Sequence, residues 1–219
     1  MQKIIVAIDG FASTGKSSLA KRLAKTLNYT YIDSGAMYRA VTYFAIQKGH
    51  QGYINQEKLI AQLDQIEIYF KYSKSGHQTF LNGLNISKEI RLSEVTEQVS
   101  KVSKILEVRA LLVTQQQKLG AKKGIIMDGR DIGTVVFPDA NYKFFLYAIP
   151  EIRAQRRHKE INDETVKIES IEREIKERDD IDSTREIAPL KKAEDAYGID
   201  VSYLAIDQVF EEILEKITF

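Results

Sequence analysis

Gly10-Phe11-Ala12-Ser13-Thr14-Gly15-Lys16-Ser17 fits G-x-x-x-x-G-K-[ST], the pattern of a phosphate-cradling loop. Gly10 and Gly15 permit backbone angles that a Cβ would forbid, so successive N–H groups can converge on phosphate oxygens. The Lys16 ammonium can reach the β- and γ-phosphates, and the Ser17 hydroxyl can ligate Mg²⁺. Ile4-Ile5-Val6-Ala7-Ile8, just before the loop, is a short apolar run of the kind that makes a strand buried on both faces. After the loop, Leu19, Leu23 and Leu27 recur at helical spacing. That helix would aim its N-terminal partial charge at the phosphates. A glycine-rich turn with a stray lysine is the plain alternative, and the flanking strand and helix argue against it.

The rest of the composition bounds the answer. A chain of 219 residues suits one domain carrying a small insertion and is long enough to bury a sizeable core. Its 32 basic and 31 acidic residues nearly balance, so no global field points to nucleic acid or a membrane surface. The absence of cysteine excludes disulfides, thiolate metal sites and cysteine nucleophiles. His50, His77 and His158 lie far apart and form no ligand pattern. The chain enters a strand within three residues, so no signal peptide is expected, and no apolar run approaches a membrane span. These features predict a soluble, cytoplasmic α/β protein.

Helical and strand-like runs alternate, which predicts a parallel sheet with crossover helices. Thr30-Tyr31-Ile32-Asp33 reads as a short strand, with Ser34 capping a helix that runs to about Gly49, and residues 55–64 read as helical. Ile66, Ile68 and Phe70 then alternate with polar partners, Ser73 to Gly76 supplies a turn, Gln78 to Leu81 a return strand, and Asn82-Gly83 a tight turn before Leu84-Asn85-Ile86. That antiparallel meander interrupts the parallel plan. A long helix is expected from Ser93 to about Leu119, then strands at 124–128, 142–148 and 201–206. Charged helices are expected at 151–161 and 164–182, and an amphipathic closing helix at 208–217. The expected division is a core of 1–60, 93–150 and 183–219, an inserted subdomain at about 61–92 and a lid at about 151–182.

Ligands of open α/β sheets sit beyond the carboxyl ends of the strands. Polar residues in such places are Gly10 to Ser17, Asp33 to Arg39 and Asp128 to Thr134. Asp128 follows an apolar run, as the second acidic residue of phosphate-loop enzymes does when it holds Mg²⁺ through water or lies near it. Its plain alternative is a turn cap. Arg39 and Arg130 suit phosphate recognition because a guanidinium fork donates two parallel hydrogen bonds. Arg153, Arg156 and Arg157 share one helix face, as do Arg178, Asp182 and Arg185. A lid carrying Arg153 and Arg157 could meet the charge of a migrating phosphoryl group while excluding water. The alternative is a solvated helix pairing with Glu160, Glu174 or Glu177.

Taken together, Gly10–Ser17, Asp33–Arg39, Gly129-Arg130-Asp131-Ile132-Gly133-Thr134 and Glu177-Arg178-Asp179-Asp180-Ile181-Asp182 resemble the bacterial cytidylate kinase family over essentially the whole chain. The meander resembles that family's enlarged monophosphate-binding region. The resemblance implies a three-layer α/β fold with a five-stranded parallel sheet and phosphoryl transfer from ATP to CMP or dCMP with Mg²⁺, in pyrimidine nucleotide metabolism, by a monomer. By the family pattern, Gly10, Phe11, Ala12, Ser13, Thr14, Gly15, Lys16, Ser17 and Ser18 would hold ATP. Arg39 and Arg130 would bind the acceptor's phosphate. Ser34, Arg109, Asp131 and Arg185 would face cytosine, and Ser100, Arg178 and Asp182 the sugar. Tyr38 would also line the CMP site, while Arg153 and Arg157 would belong to the lid. Lys16, Arg130, Arg153 and Arg157 would then carry catalysis, with Ser17 and Asp128 nearest the metal. The loop's Phe11-Ala12-Ser13-Thr14 departs from the Pro-Ser-Gly/Ala-Ala common among relatives, at positions where the backbone matters more than the side chains.

Other readings are weaker. A kinase of another acceptor, such as shikimate, gluconate or dephospho-coenzyme A, leaves the 33–39 and 129–134 segments and the meander unexplained. A GTP-dependent switch wants an Asn-Lys-x-Asp clamp, which the chain lacks, and Asp195-Ala196-Tyr197-Gly198 lies too late to serve a γ-phosphate. Nucleic-acid binding would rest on the short 153–159 basic cluster alone. The loop near Val201 to Asp207 is the place the fold offers for adenine.

Overall fold

The apolar run before the phosphate loop forms β1 (Ile5–Gly10), with every residue buried. The computed structural model describes residues 3–49, 54–73 and 76–218. In chain order the remaining elements are α1 (Lys16–Leu27), β2 (Thr30–Asp33), α2 (Ser34–Lys48), α3 (Gln56–Ile60), β3 (Ile68–Ser73), β4 (Gly76–Leu81) and β5 (Leu84–Asn85). Then follow α4 (Ser93–Val102), α5 (Leu106–Gly120), β6 (Ile125–Gly129), β7 (Tyr142–Tyr147), α6 (Pro150–Ile161), α7 (Ile168–Thr184), β8 (Tyr197–Asp200) and α8 (Ile206–Lys216). None of the described helices is long and apolar enough to cross a membrane. His50 and residues 74–75 of the expected turn lie outside the described residues.

The chain divides into two compact units, Met1–Ile32 with Gln117–Phe219, and Asp33–Gln116. The first holds the five-stranded sheet, in the order β2-β6-β1-β7-β8, with β1 paired in parallel to both β6 and β7. Burial of β1 and β6 on both faces explains their unbroken apolar sequences. Leu19 and Leu23 of α1 pack with Ile8, Phe144 and Leu146 of the sheet and with Val209, Phe210 and Ile213 of α8. A satellite cluster of Ala154, Ile171 and Ile175 joins α6 to α7. In the second unit, Met37, Val41 and Phe44 of α2 form a core with Val99, Val102, Val108 and Leu112. Its β3-β4-β5 meander is antiparallel, as the alternation predicts.

Three local expectations are corrected. Asp33, not Ser34, caps α2: its carboxylate accepts from the Ala36 amide at 2.9 Å, and Ser34 is already helical. The expected long helix is two, α4 and α5. The Ser103 hydroxyl turns back to the Ser100 carbonyl at 2.8 Å, and the Lys104 and Ile105 amides fall to carbonyls three residues back, which closes the first helix. The last strand lies at Tyr197–Asp200 rather than 201–206, paired with β7. Asp200 Oδ1 accepts from the Ser202 amide at 2.9 Å and from its hydroxyl at 2.6 Å, an Asx turn that ends the strand and leaves 201–205 as a loop.

The phosphate loop leaves β1 at Gly10, whose φ is 144° and whose missing Cβ would stand 2.0 Å from the Leu146 carbonyl oxygen. Gly10→Ala should therefore force β1 from β7 and lower stability by about 1–3 kcal/mol or more. Urea unfolding checks this, and an unchanged midpoint would show that the strands can part without cost.

Candidate active site

The loop after β1 folds on itself. Phe11 donates its amide to Leu146 O at 3.3 Å, Thr14 Oγ1 donates to Phe11 O at 3.0 Å, and Ser13 takes a left-handed φ of 57°. Lys16 is buried and donates to the Phe11 carbonyl and, at 3.3 Å, to Thr14 Oγ1. Burial, then the positive charges of Arg130 and Arg178, hold the Lys16 ammonium well below its ordinary pKa, against the pull of Asp128 and Asp9. A triphosphate would add negative charge beside the buried ammonium. Ser17 Oγ donates to Asp128 Oδ2 at 2.8 Å, and the Tyr31 hydroxyl donates to Asp128 Oδ1 at 2.8 Å.

Beneath the loop lies Asp9. Its two carboxylate oxygens accept from the Ile132 and Gly133 amides at 2.8 and 2.7 Å. That fixes the Gly129-Arg130-Asp131 segment, which continues into a π-type turn at Ile132–Val136, a geometry frequent at functional sites. Burial pushes the Asp9 carboxyl up from 3.8 to about 7; the two amides pull it down, Asp131 adds to the rise and Lys16 opposes it.

Arg130, Asp131, Asp182 and Arg185 come together at the ends of β6 and α7. Arg130 Nε donates to Asp182 Oδ2 at 3.0 Å, Arg185 Nη2 lies 3.6 Å from Asp131 Oδ1, and Arg185 Nη1 lies 4.0 Å from Asp182 Oδ1. Burial alone would raise the Asp182 carboxyl, but Arg130, Arg178 and Arg185 outweigh it and hold it below the usual carboxylate range. The cluster alternates sign and can exchange internal partners for a ligand of matching pattern.

Arg153 is only 4% exposed. Its guanidinium pairs with Asp179, donates to Ala12 O at 3.3 Å and through Nε to Ala148 O at 2.9 Å. Arg157 stands apart from this knot, 41% exposed in its side chain and paired with Glu160 at 3.2 Å. Arg156 donates to Val201 O at 2.6 Å and Ser202 O at 3.3 Å. Beside it a pocket of about 310 Å³ is lined by Thr14, Gly15, Ser18, Leu204, Ile206 and Val209. It lies beside the start of α1, with the 201–206 loop along its wall.

Within the second unit, Ser34, Tyr38, Ser100 and Arg109 are buried. The Arg109 guanidinium sits 5.5 Å from the Tyr38 ring centroid and donates to Ser103 O at 3.3 Å. Ser100 Oγ has no hydrogen-bond partner among the described residues. The Arg39 guanidinium lies over Gly35, 3.1 Å from where a Cβ would stand.

The sequence model described as cytidylate kinase matches residues 6–219. The chain belongs to the cytidylate kinase family. It is 50% identical to the cytidylate kinase of Flavobacterium psychrophilum over 223 residues, covering 99% of each chain. It is 49% identical to that of Parabacteroides distasonis over 222 residues, covering 99% of this chain and 97% of the relative. A gluconokinase from Sinorhizobium meliloti superposes with a TM-score of 0.51 at 12% identity, covering 98% of this chain and 91% of that one, and so shares the fold alone. Membership makes the protein a nucleoside monophosphate kinase, a phosphotransferase.

Two residues of consequence receive no role from the motifs. Asp9 is hidden because it ends an apolar strand. Asp179 had a signal: Ile171, Ile175, Asp179 and Asp182 are the buried residues of α7, so the carboxylates continue an apolar stripe on one helix face. Acidic residues that extend such a stripe are buried with partners.

The Asp9 carboxyl sets a pH dependence. Folded Asp9 keeps its proton to about pH 7 and the unfolded residue only to 3.8, so stability falls as pH rises through that window. At about 1.4 kcal/mol per pH unit, the decline reaches up to about 4 kcal/mol. Asp9→Asn should flatten the fall in urea midpoint between pH 5 and pH 7.5, and equal slopes in wild type and variant would contradict the assignment.

Proposed function

We propose that this chain catalyses ATP + CMP (or dCMP) ⇌ ADP + CDP (or dCDP) by direct in-line transfer. The observation that carries the reading is the family match over residues 6–219, joined to a phosphate loop with a buried lysine. Residues Gly10 to Ser18 hold the ATP phosphates, and the pocket between Thr14 and Val209 takes adenine. One oxygen of the CMP phosphate attacks the γ-phosphorus, the bond from that phosphorus to the β,γ-bridging oxygen breaks, and ADP leaves with the electron pair. The acceptor is already an oxyanion near neutral pH, so no general base is needed. Lys16, Arg130, Arg153 and Arg157 align the reactants and offset the charge on the transferring group. Arg157 would have to leave Glu160 to do so.

The Ser17 hydroxyl and Asp128 carboxylate, 2.8 Å apart, form a pair of hard oxygen donors that fits Mg²⁺, an ion that keeps most of its ligands as water and substrate phosphate. Held by Ser17 and Asp128, Mg²⁺ would supply positive charge that offsets the charge of the donor's phosphates.

CMP recognition follows the alternating cluster. The Asp131 carboxylate would accept from the exocyclic amine of cytosine, while Arg109, Arg185 and Ser34 face its N3 and O2. Arg130 and Arg39 would take the phosphate, and Arg178, Asp182 and Ser100 the sugar, with Tyr38 completing the site. The assignments of Ser34, Tyr38, Arg39, Ser100 and Arg109 rest on the family resemblance. In the same terms, residues 61–92 serve as the monophosphate-binding subdomain and 151–182 as the lid, in a cytoplasmic monomer of pyrimidine metabolism.

A panel of nucleoside monophosphates with ATP and Mg²⁺ tests the reaction, with Lys16→Ala as control. CMP and dCMP should turn over fastest, and the control should lose kcat by on the order of a hundredfold or more while its melting transition is retained. Normal turnover in that control would count against the site. Uracil would set a carbonyl against Asp131, a mismatch of about 1–3 kcal/mol, or roughly 10- to 100-fold. Asp131→Ala should narrow the CMP-over-UMP ratio by that order, and an undiminished ratio would remove Asp131 from base recognition.

A further inference from the structure

One carboxylate holds two groups that a triphosphate needs. Asp179 Oδ1 accepts from the Ala12 amide at 3.3 Å, an amide of the phosphate loop, and Asp179 Oδ2 pairs with Arg153. Arg153 closes the ring by donating to Ala12 O, and its guanidinium lies 5.4 Å from the Phe11 ring centroid. Asp179 is 7% exposed, so this is a buried contact and not a chance surface pairing. Lys16 meanwhile is turned inward onto the Phe11 carbonyl. The loop's anion seat is thus partly filled by the protein's own acid.

The same helix carries the proposed sugar contacts. Asp179 follows Arg178 directly and precedes Asp182 by three residues, one helical turn, and Asp182 is tied to Arg130. The other end of α7 is pinned to α6 through Ile171, Ile175 and Ala154. A shift that rearranges partners at Asp182 would be felt at Asp179 one turn away, because a helix moves its side chains together.

We propose that Asp179 is a positioning residue that occupies the phosphate loop of the free enzyme as a stand-in anion, and that acceptor binding along α7 draws it away, releasing the Ala12 amide and Arg153 to ATP. The inference rests on the phosphoryl-transfer reading above. A buried ion pair adds little net stability, since desolvation offsets the attraction. A role in timing accounts for a carboxylate that competes with the substrate's own charge. The device would keep ATP from reacting with water while the acceptor site is empty.

Calorimetric titration with Mg²⁺ and an ATP analogue carrying a non-hydrolysable β,γ bridge tests this, with and without CMP, on wild type, Asp179→Asn and Asp179→Ser. In wild type, CMP should tighten analogue binding by on the order of tenfold. Each variant should bind the analogue about tenfold tighter than wild type without CMP, gain little more when CMP is added, and hydrolyse ATP faster in its absence. A variant that melts cooperatively yet binds the analogue equally or more weakly would overturn the proposal, since a purely structural ion pair predicts that result. If neither variant folds, the wild-type titration decides, and an affinity indifferent to CMP would overturn it. Formation of CDP by wild type checks the reaction separately. Turnover with no change in analogue binding would sink the role of Asp179 and leave the reaction standing.

Discussion

The bond from the Asp9 carboxylate to two backbone amides, beneath a strand end that can approach its neighbour only because Gly10 lacks a Cβ, is the constraint on which the rest depends. It fixes the phosphate loop and the Gly129–Thr134 turn to a common base. Arg130 and Asp131 project from that turn, so their placement follows from main-chain geometry and not from side-chain flexibility. Parallel pairing of β1 with β6, in register from Ile5↔Ile125 to Asp9↔Gly129, brings both loops to the same end of the sheet. That is where open α/β sheets bind ligands.

On this base sits a cluster of paired charges of alternating sign. Lys16 is buried near Arg130 and Arg178, and Asp128 and Asp9 oppose the depression of its pKa. Each arginine of the first unit's cluster already has an acidic partner: Arg130 has Asp182, Arg185 has Asp131, and Arg153 has Asp179. The partners keep the guanidinium groups ordered and compensated. In the proposed reaction, substrate phosphates would replace carboxylates in geometries already set, leaving less reorganisation for the transition state.

Much of this was legible in the sequence because it depends on short-range rules. The strand, loop and helix from Ile5 to Leu27 follow from apolar runs, two glycines and a four-residue leucine period. The meander follows from alternation and Asn82-Gly83. What escaped depends on local competition for hydrogen bonds or on distant partners. Ser103 splits an otherwise continuous helical period by bonding back to Ser100. Asp200 ends β8 six residues before the end that the apolar run 201–206 suggests. Asp9 and Asp179 take their roles from amides at positions 132, 133 and 12, which no spacing rule connects to them. The motif arginines were found, but their pairing was not: Arg130 and Asp182, assigned by resemblance to phosphate and to sugar, are hydrogen-bonded to each other.

In the proposed reaction the γ-phosphoryl group passes straight from loop-held ATP to the CMP phosphate, with no protein group bonded to it on the way. The most direct measurement is the stereochemical course at phosphorus, using ATP whose γ-phosphoryl group is made chiral with oxygen isotopes. A single in-line displacement requires inversion. Retention would require two displacements through a phosphorylated side chain and would contradict direct transfer.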